Sequence, residues 1–247
     1  MKRLQFLAIV ILGITSRAHA QEAKPGPKDT EKRYSFKRIH DPNGIGKFYM
    51  DREIAHVMGH AAASWLERPE REEEENPKKL HAELKLKPGM VVADIGAGSG
   101  YHSFRMAEAV GAKGKVYAVD IQKEMLDIIR KRMKETGVTQ IEPVMGEIAD
   151  PKLPENAVDL CLMVDVYHEF EFPYEMAAKL VSCLKPGGKL VFVEYRLEDQ
   201  KVPIKLVHKM SERQVIKEMS AFPEMKHAGT SKVLPWQHIV TFEKKAK

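Results

Sequence analysis

Cysteine is scarce in this chain: 247 residues hold only two, Cys161 and Cys183. Each lies in an apolar, regular-looking segment, so both read as small buried hydrophobes. Neither has metal-site spacing, and their separation in sequence says nothing about pairing. A large charge of one sign is also missing. The formal charge is +5, and it falls to +2 without Lys2, Arg3 and Arg17. That is too little to argue for a nucleic-acid partner. Beyond residue 20 no stretch is apolar enough to cross a bilayer, and there are no internal repeats or low-complexity tracts. What remains is an ordinary globular composition, 43% hydrophobic and 30% charged. It is enough for one α/β domain with some additional helices.

The first twenty residues carry the pattern of a secretory signal. Lys2 and Arg3 open it, Leu4 to Ile14 form a short apolar run, and Ala18-His19-Ala20 offers a small-residue cleavage site before Gln21. Export to the periplasm or beyond is expected, with no stable membrane insertion after cleavage. An uncleaved N-terminal anchor is the alternative.

Residues 21–47 are rich in Lys, Pro, Gly and Asp and lack periodicity, so they read as a flexible lead-in. Ile54, Val57, Met58, Ala61, Ala62, Trp65 and Leu66 recur at helical spacing, and Pro77 begins a second helical stretch. Residues 48–85 are therefore expected to form a helical extension. From residue 86 the pattern alternates. Met90–Ile95, Lys115–Val119, Ile141–Met145, Val158–Val164, Leu190–Val193 and Gln237–Phe242 read as strands, separated mostly by helical stretches. Such alternation predicts a doubly wound α/β sheet over 86–247.

The segment Asp94-Ile95-Gly96-Ala97-Gly98-Ser99-Gly100 carries the chemistry. A buried strand enters a turn of alternate glycines, and a helix follows directly. Glycines there let a ligand approach the backbone closely. The spacing is G-x-G-x-G, and Tyr101 occupies the third glycine position of the dinucleotide fingerprint. Asp94, two residues before the first glycine, would repel a pyrophosphate and suits a cationic amino group.

Asp94-x-Gly96-x-Gly98-x-Gly100 resembles the first motif of class I S-adenosylmethionine (SAM)-dependent methyltransferases. The resemblance covers roughly residues 80–245, and Leu184-Lys185-Pro186-Gly187-Gly188 matches a turn frequent in that family. It implies a seven-stranded Rossmann-like sheet of order 3-2-1-4-5-7-6, with the last strand antiparallel. It also implies SAM as cofactor and methyl transfer by in-line displacement. Asp120 would hold the ribose hydroxyls, a task suited to a carboxylate that accepts two hydrogen bonds; otherwise it caps a helix. Ile121 would pack on the adenine, and Glu147 would meet its amino group or stand as an exposed loop acid.

Past the fourth strand of the sheet, Asp165-Val166-Tyr167-His168-Glu169-Phe170 falls where ligands bind in open α/β sheets. His168 is the candidate base and Asp165 a candidate for both catalysis and cofactor binding; a helix-start cluster is the alternative. Glu194, in Glu194-Tyr195-Arg196, is a further candidate beside the acceptor. No sequence spacing suggests a metal site, and the signatures of adenine, glutamine-amide and cytosine-carbon methylation are absent. These readings point to a small-molecule acceptor and leave oligomeric state open. Two rivals remain: a non-catalytic ligand-binding protein on the same fold, and a nicotinamide-dependent oxidoreductase.

Overall fold

A computed structural model describes residues 33–246. The expected signal, 1–20, and the start of the lead-in lie outside the described residues.

Seven strands form one sheet: β4 (Val91–Ile95), β5 (Lys115–Asp120), β6 (Ile141–Met145), β7 (Val158–Val164), β8 (Leu184–Tyr195), β9 (Met225–Ser231) and β10 (Gln237–Lys244). Their order is β6-β5-β4-β7-β8-β10-β9. β4 to β8 run parallel, and β10 is antiparallel to both β8 and β9. This is the implied 3-2-1-4-5-7-6 arrangement. The six strands predicted over 86–247 are present; β9 is the addition. Its sequence, Met-Lys-His-Ala-Gly-Thr-Ser, is largely exposed at the sheet edge and carries little hydrophobic signal.

Alternation along the strands supplies two cores. On one face Val92, Ala118, Leu160, Leu162 and Val191 pack against α2 (Pro77–Leu84), α3 (Tyr101–Val110) and α4 (Lys123–Thr136). On the other, Ala93, Cys161, Met163, Phe192 and Val240 pack against α5 (Pro173–Cys183) and α6 (Glu212–Met219). Cys161 and Cys183 are buried free thiols, with Sγ atoms 3.6 Å apart.

The N-terminal extension departs from expectation. The described part of the lead-in, residues 33–47, is not a flexible segment. With the start of the supposed helical extension it forms a three-stranded antiparallel sheet, β1 (Tyr34–Phe36), β2 (Gly44–Tyr49) and β3 (Arg52–Ala55). Tyr49 pairs with Arg52 across a two-residue turn in which Met50 and Asp51 have φ of +46° and +73°. That left-handed hairpin geometry usually announces itself as Asn-Gly or Asp-Gly, and Met-Asp does not. The helix expected across residues 54–66 is replaced by a 3-10 segment, His60–Glu67, followed by the short α1 (Arg71–Glu74) and then α2. The apolar residues that suggested the longer helix do not share a core-facing stripe. Ile54 is fully buried at the end of β3, whereas Val57 and Trp65 are 46% and 40% exposed beside a cavity.

Two anchors fix this extension. Tyr34, Tyr49 and Ile54 pack with Phe172. Arg52 forks onto Glu218 of α6, with Nε–Oε1 at 2.7 Å and Nη2–Oε2 at 3.0 Å, and its Nη1 donates to the His168 carbonyl at 3.1 Å. Among the described residues no helix is long and apolar enough to cross a membrane.

Candidate active site

A cavity of about 530 Å³ opens beyond the carboxyl ends of β4 to β8. Strand ends form its floor, and residues from the extension and from 203–208 form its other walls.

The glycine turn lies at one end. Gly96 and Gly98 have φ of +69° and +55°, a region in which a side chain is strained. A Cβ on Gly96 would fall 2.4 Å from Val166, and one on Gly98 would fall 2.5 Å from Leu66. The turn therefore requires glycine for both conformation and space. The amides of Gly96 and Ala97 donate to the Val119 carbonyl, which locks the turn onto the end of β5. Gly100, also at positive φ, opens α3 and does not line the cavity.

Asp120 joins turn and strand. Its Oδ2 accepts from the Gly98 amide at 2.9 Å and its Oδ1 from the Gln122 amide at 2.8 Å. Burial raises its pKa against the opposing effect of these donors. Each oxygen keeps a further lone pair, and the residue lines the cavity beside Ile121 and Glu147. Ile121 is 37% exposed, while the Glu147 side chain pairs with Lys152 at 3.1 Å.

Asp94 is placed differently from the sequence reading. It is buried behind the turn, accepts from Ser103 Oγ at 2.6 Å and does not line the cavity. Burial pushes its pKa up to about 6. Asp165, just past the end of β7, does meet the cavity. Its Oδ2 accepts from Gln237 Nε2 at 2.5 Å, while its buried Oδ1 has no partner among the described residues. Burial, with Glu75 and Glu194 nearby, raises its pKa well above the carboxylate range. An unpartnered buried acceptor costs free energy unless a ligand satisfies it. A cationic or hydrogen-bonding ligand group fits there.

His168 also lines the cavity, within the 3-10 turn Tyr167–Glu169. Its Nδ1 meets Glu194 Oε2 at 2.6 Å, and the Tyr167 amide donates to the other oxygen, Oε1, at 3.1 Å. Burial would lower the His168 pKa, but the Glu194 charge and hydrogen bond outweigh it and leave it raised. Glu194 is fully buried and outside the cavity wall. Its contact with the cavity is indirect, through His168. Tyr195 lines the cavity, and its hydroxyl donates to Glu75 at 2.9 Å. Arg196 instead turns to the carbonyls of Leu234 and Gln237.

Sequence reasoning missed several wall residues. His208 lies 3.2 Å from His168 Nε2, and Glu169 approaches both histidines. Arg71 reaches the cavity from α1, held by Glu75, the Leu66 carbonyl and His102. No motif surrounds His208 in sequence. Arg71 stands beside the acidic run Glu72 to Glu75, a composition that reads as a solvated helix face.

Known proteins share these features. A methyltransferase-domain family model matches residues 86–245. A protein-L-isoaspartate O-methyltransferase of Pyrococcus horikoshii is 32% identical over 106 residues, 43% of this chain and 44% of that protein. A demethylmenaquinone methyltransferase of Oceanobacillus iheyensis is 28% identical over 111 residues, 45% and 47% respectively. The chain thus spans less than half the length of these curated relatives. The crystal structure of a SAM-dependent methyltransferase from Aquifex aeolicus aligns with a TM-score of 0.71 at 26% identity. That alignment covers 76% of this chain and all of the other. With its seven-stranded sheet and glycine turn, the chain belongs to the methyltransferase-domain family, in its class I form with SAM as cofactor.

Proposed function

We propose that the protein transfers the methyl group of SAM to a small-molecule acceptor held at the His168 end of the cavity. One observation carries this reading. The glycine turn, Asp120, Asp165 and His168 line a single continuous cavity, of a size usual for small-ligand sites.

The residues fit the cofactor. The glycine turn leaves the cavity free of side chains where backbone must approach a ligand. Asp120 offers two oriented oxygens to paired hydroxyls. The unpartnered oxygen of Asp165 suits the amino group that the sequence reading had given to Asp94. When bound, SAM supplies an activated sulfonium methyl. The chain's own work is to orient and exclude water, which can lower a barrier by several kcal/mol. Val57, Met58, Trp65 and Leu66 wall the cavity from the extension, while Pro203, Ile204 and Lys205 contribute from a second segment. Such walls favour an acceptor small enough to enter over a folded protein. Glu194 holds the His168 ring with Nε2 facing the cavity, where it can take a proton or a ligand.

Incubation of the full chain with SAM and a panel of small hydroxy, thiol and amino compounds tests the proposal. Mass spectrometry should find a methylated product and demethylated cofactor in equal amounts. Cofactor binding with no product from any small acceptor, but methylation of an added protein, would overturn the acceptor class.

A further inference from the structure

Beside His168 two further side chains converge, Glu169 and His208, for which methyl transfer alone gives no reason. His168 Nε2 and His208 Nδ1 are 3.2 Å apart. Glu169 Oε1 lies 3.9 Å from the first and 3.6 Å from the second. A point equidistant from all three lies about 2.1 Å from each, inside the ~2.0–2.2 Å range of zinc bonds to imidazole nitrogen and carboxylate oxygen.

The surroundings orient these atoms inward. His168 Nδ1 faces the buried Glu194 carboxylate at 2.6 Å, so that nitrogen carries the proton and Nε2 presents a lone pair. A ligating histidine that donates its other N–H to a carboxylate is the usual outer-layer arrangement of a metal site. Glu169 is oriented as well: the Met58 amide donates to Oε2 at 3.3 Å, leaving Oε1 toward the histidines. The His168 side chain is 2% exposed, Glu169 11% and His208 23%. With the His208 proton on Nε2, all three atoms are acceptors turned toward one partly buried point and match a cation better than one another; with it on Nδ1, His208 donates to His168 instead. Two imidazoles and one carboxylate select a transition ion over magnesium or calcium.

We propose that His168, Glu169 and His208 form a binding site for a divalent transition ion, zinc by ligand type. With three protein ligands, the ion keeps a position open toward the cavity. That position suits an acceptor bound through a hydroxyl or thiol, as the oxygen or sulfur anion. The site rests on the preceding reading only for the identity of this ligand. No spacing in the sequence announces it, because His208 lies 40 residues beyond His168 and arrives from a separate 3-10 turn, Leu206–His208.

The test uses the untagged full-length chain freed of metal by chelation and dialysis. Zinc chloride is titrated by calorimetry, and cobalt chloride serves as a spectroscopic probe. The site predicts one equivalent of zinc and a visible cobalt spectrum of low coordination number. His208→Ala and Glu169→Gln should each weaken zinc at least tenfold. Glu194→Gln keeps all three ligands and should weaken zinc by about 10–100-fold, the usual effect of losing an outer-layer partner. His227→Ala, at the far edge strand, should change nothing. If His208→Ala does not fold, Glu169→Gln and Glu194→Gln carry the test. Absence of stoichiometric zinc binding, or binding unchanged in the ligand variants, would overturn the site. SAM titrated into the same metal-free samples separates the two proposals. Retained SAM binding with no zinc site removes only the metal, whereas a zinc site with no SAM binding removes only the methyl-donor assignment.

Discussion

At the glycine turn part of the cavity wall is backbone, fixed by contacts to the end of the neighbouring strand 22 residues on. Turn amides bond to the end of β5, and Asp120 is held by Gly98 and Gln122. At the His168 end the walls are side chains brought from distant segments. Arg52 supports the His168 carbonyl from 116 residues away, Glu194 holds the ring, and His208 closes the far side. The contrast separates two kinds of site. A backbone cradle serves one common cofactor and needs few residue types, whereas an assembled end can be refitted to a new acceptor without disturbing the cradle.

The largest effect that could break this contrast is on turnover. In metal-free protein, where Nε2 is free, His168→Ala should cut single-turnover methyl transfer by roughly 10²–10⁴, the scale expected for a positioned acid–base group. SAM affinity should stay within about threefold, a shift of ~0.7 kcal/mol. A matching loss of SAM binding would merge the two ends into one.

Arg52→Ala comes next. It leaves Glu218 buried without its partner, which typically costs about 3–5 kcal/mol. Denaturant unfolding should show that loss, and methyl transfer should fall with it because the support beneath His168 is gone. A neutral variant would mean that the extension is only an ornament on the domain.

Asp94 probes the glycine end. Its folded-state pKa of about 6 exceeds the unfolded value, so the folded chain binds that proton more tightly. The contribution to stability is complete below about pH 4 and is lost as pH rises through 6, an effect on the order of 3 kcal/mol. Asp94→Asn should therefore gain stability relative to wild type between pH 4 and 7, read from unfolding curves across that range. SAM affinity should change little, since Asp94 does not reach the cavity. Loss of SAM binding in this variant would restore the amino-group role that Asp165 now holds.

These differences explain what was legible. The strand–helix alternation and the glycine turn follow a pattern in which periodicity, turn residues and spacing agree, whereas the sheet order is what the family resemblance implies. Asp120 and His168 stand at strand ends, so topology points to them directly. The hairpin of β2 and β3 escaped because Met50 and Asp51 turn without the usual residues. The expected helix over 54–66 escaped because Val57, Trp65 and Leu66 are apolar on account of a cavity and not a core. Asp94 looked accessible on spacing alone, and only the Ser103 bond shows it turned inward. His208 carries no local pattern, since its partner His168 is tertiary, and Arg71 pairs locally with Glu75 within an acidic run that reads as solvent-facing.

The central claim is that one cavity binds SAM at its glycine end independently of the His168 end. Calorimetric titration of SAM into wild type, Asp120→Ala and His168→Ala, side by side, tests it most directly. Wild type should bind one equivalent. Asp120→Ala should lose about 1.5–3 kcal/mol, the usual range for hydrogen bonds to a charged group, while His168→Ala should bind as wild type does. Failure of wild type to bind SAM, or equal losses in the two variants, would contradict the account.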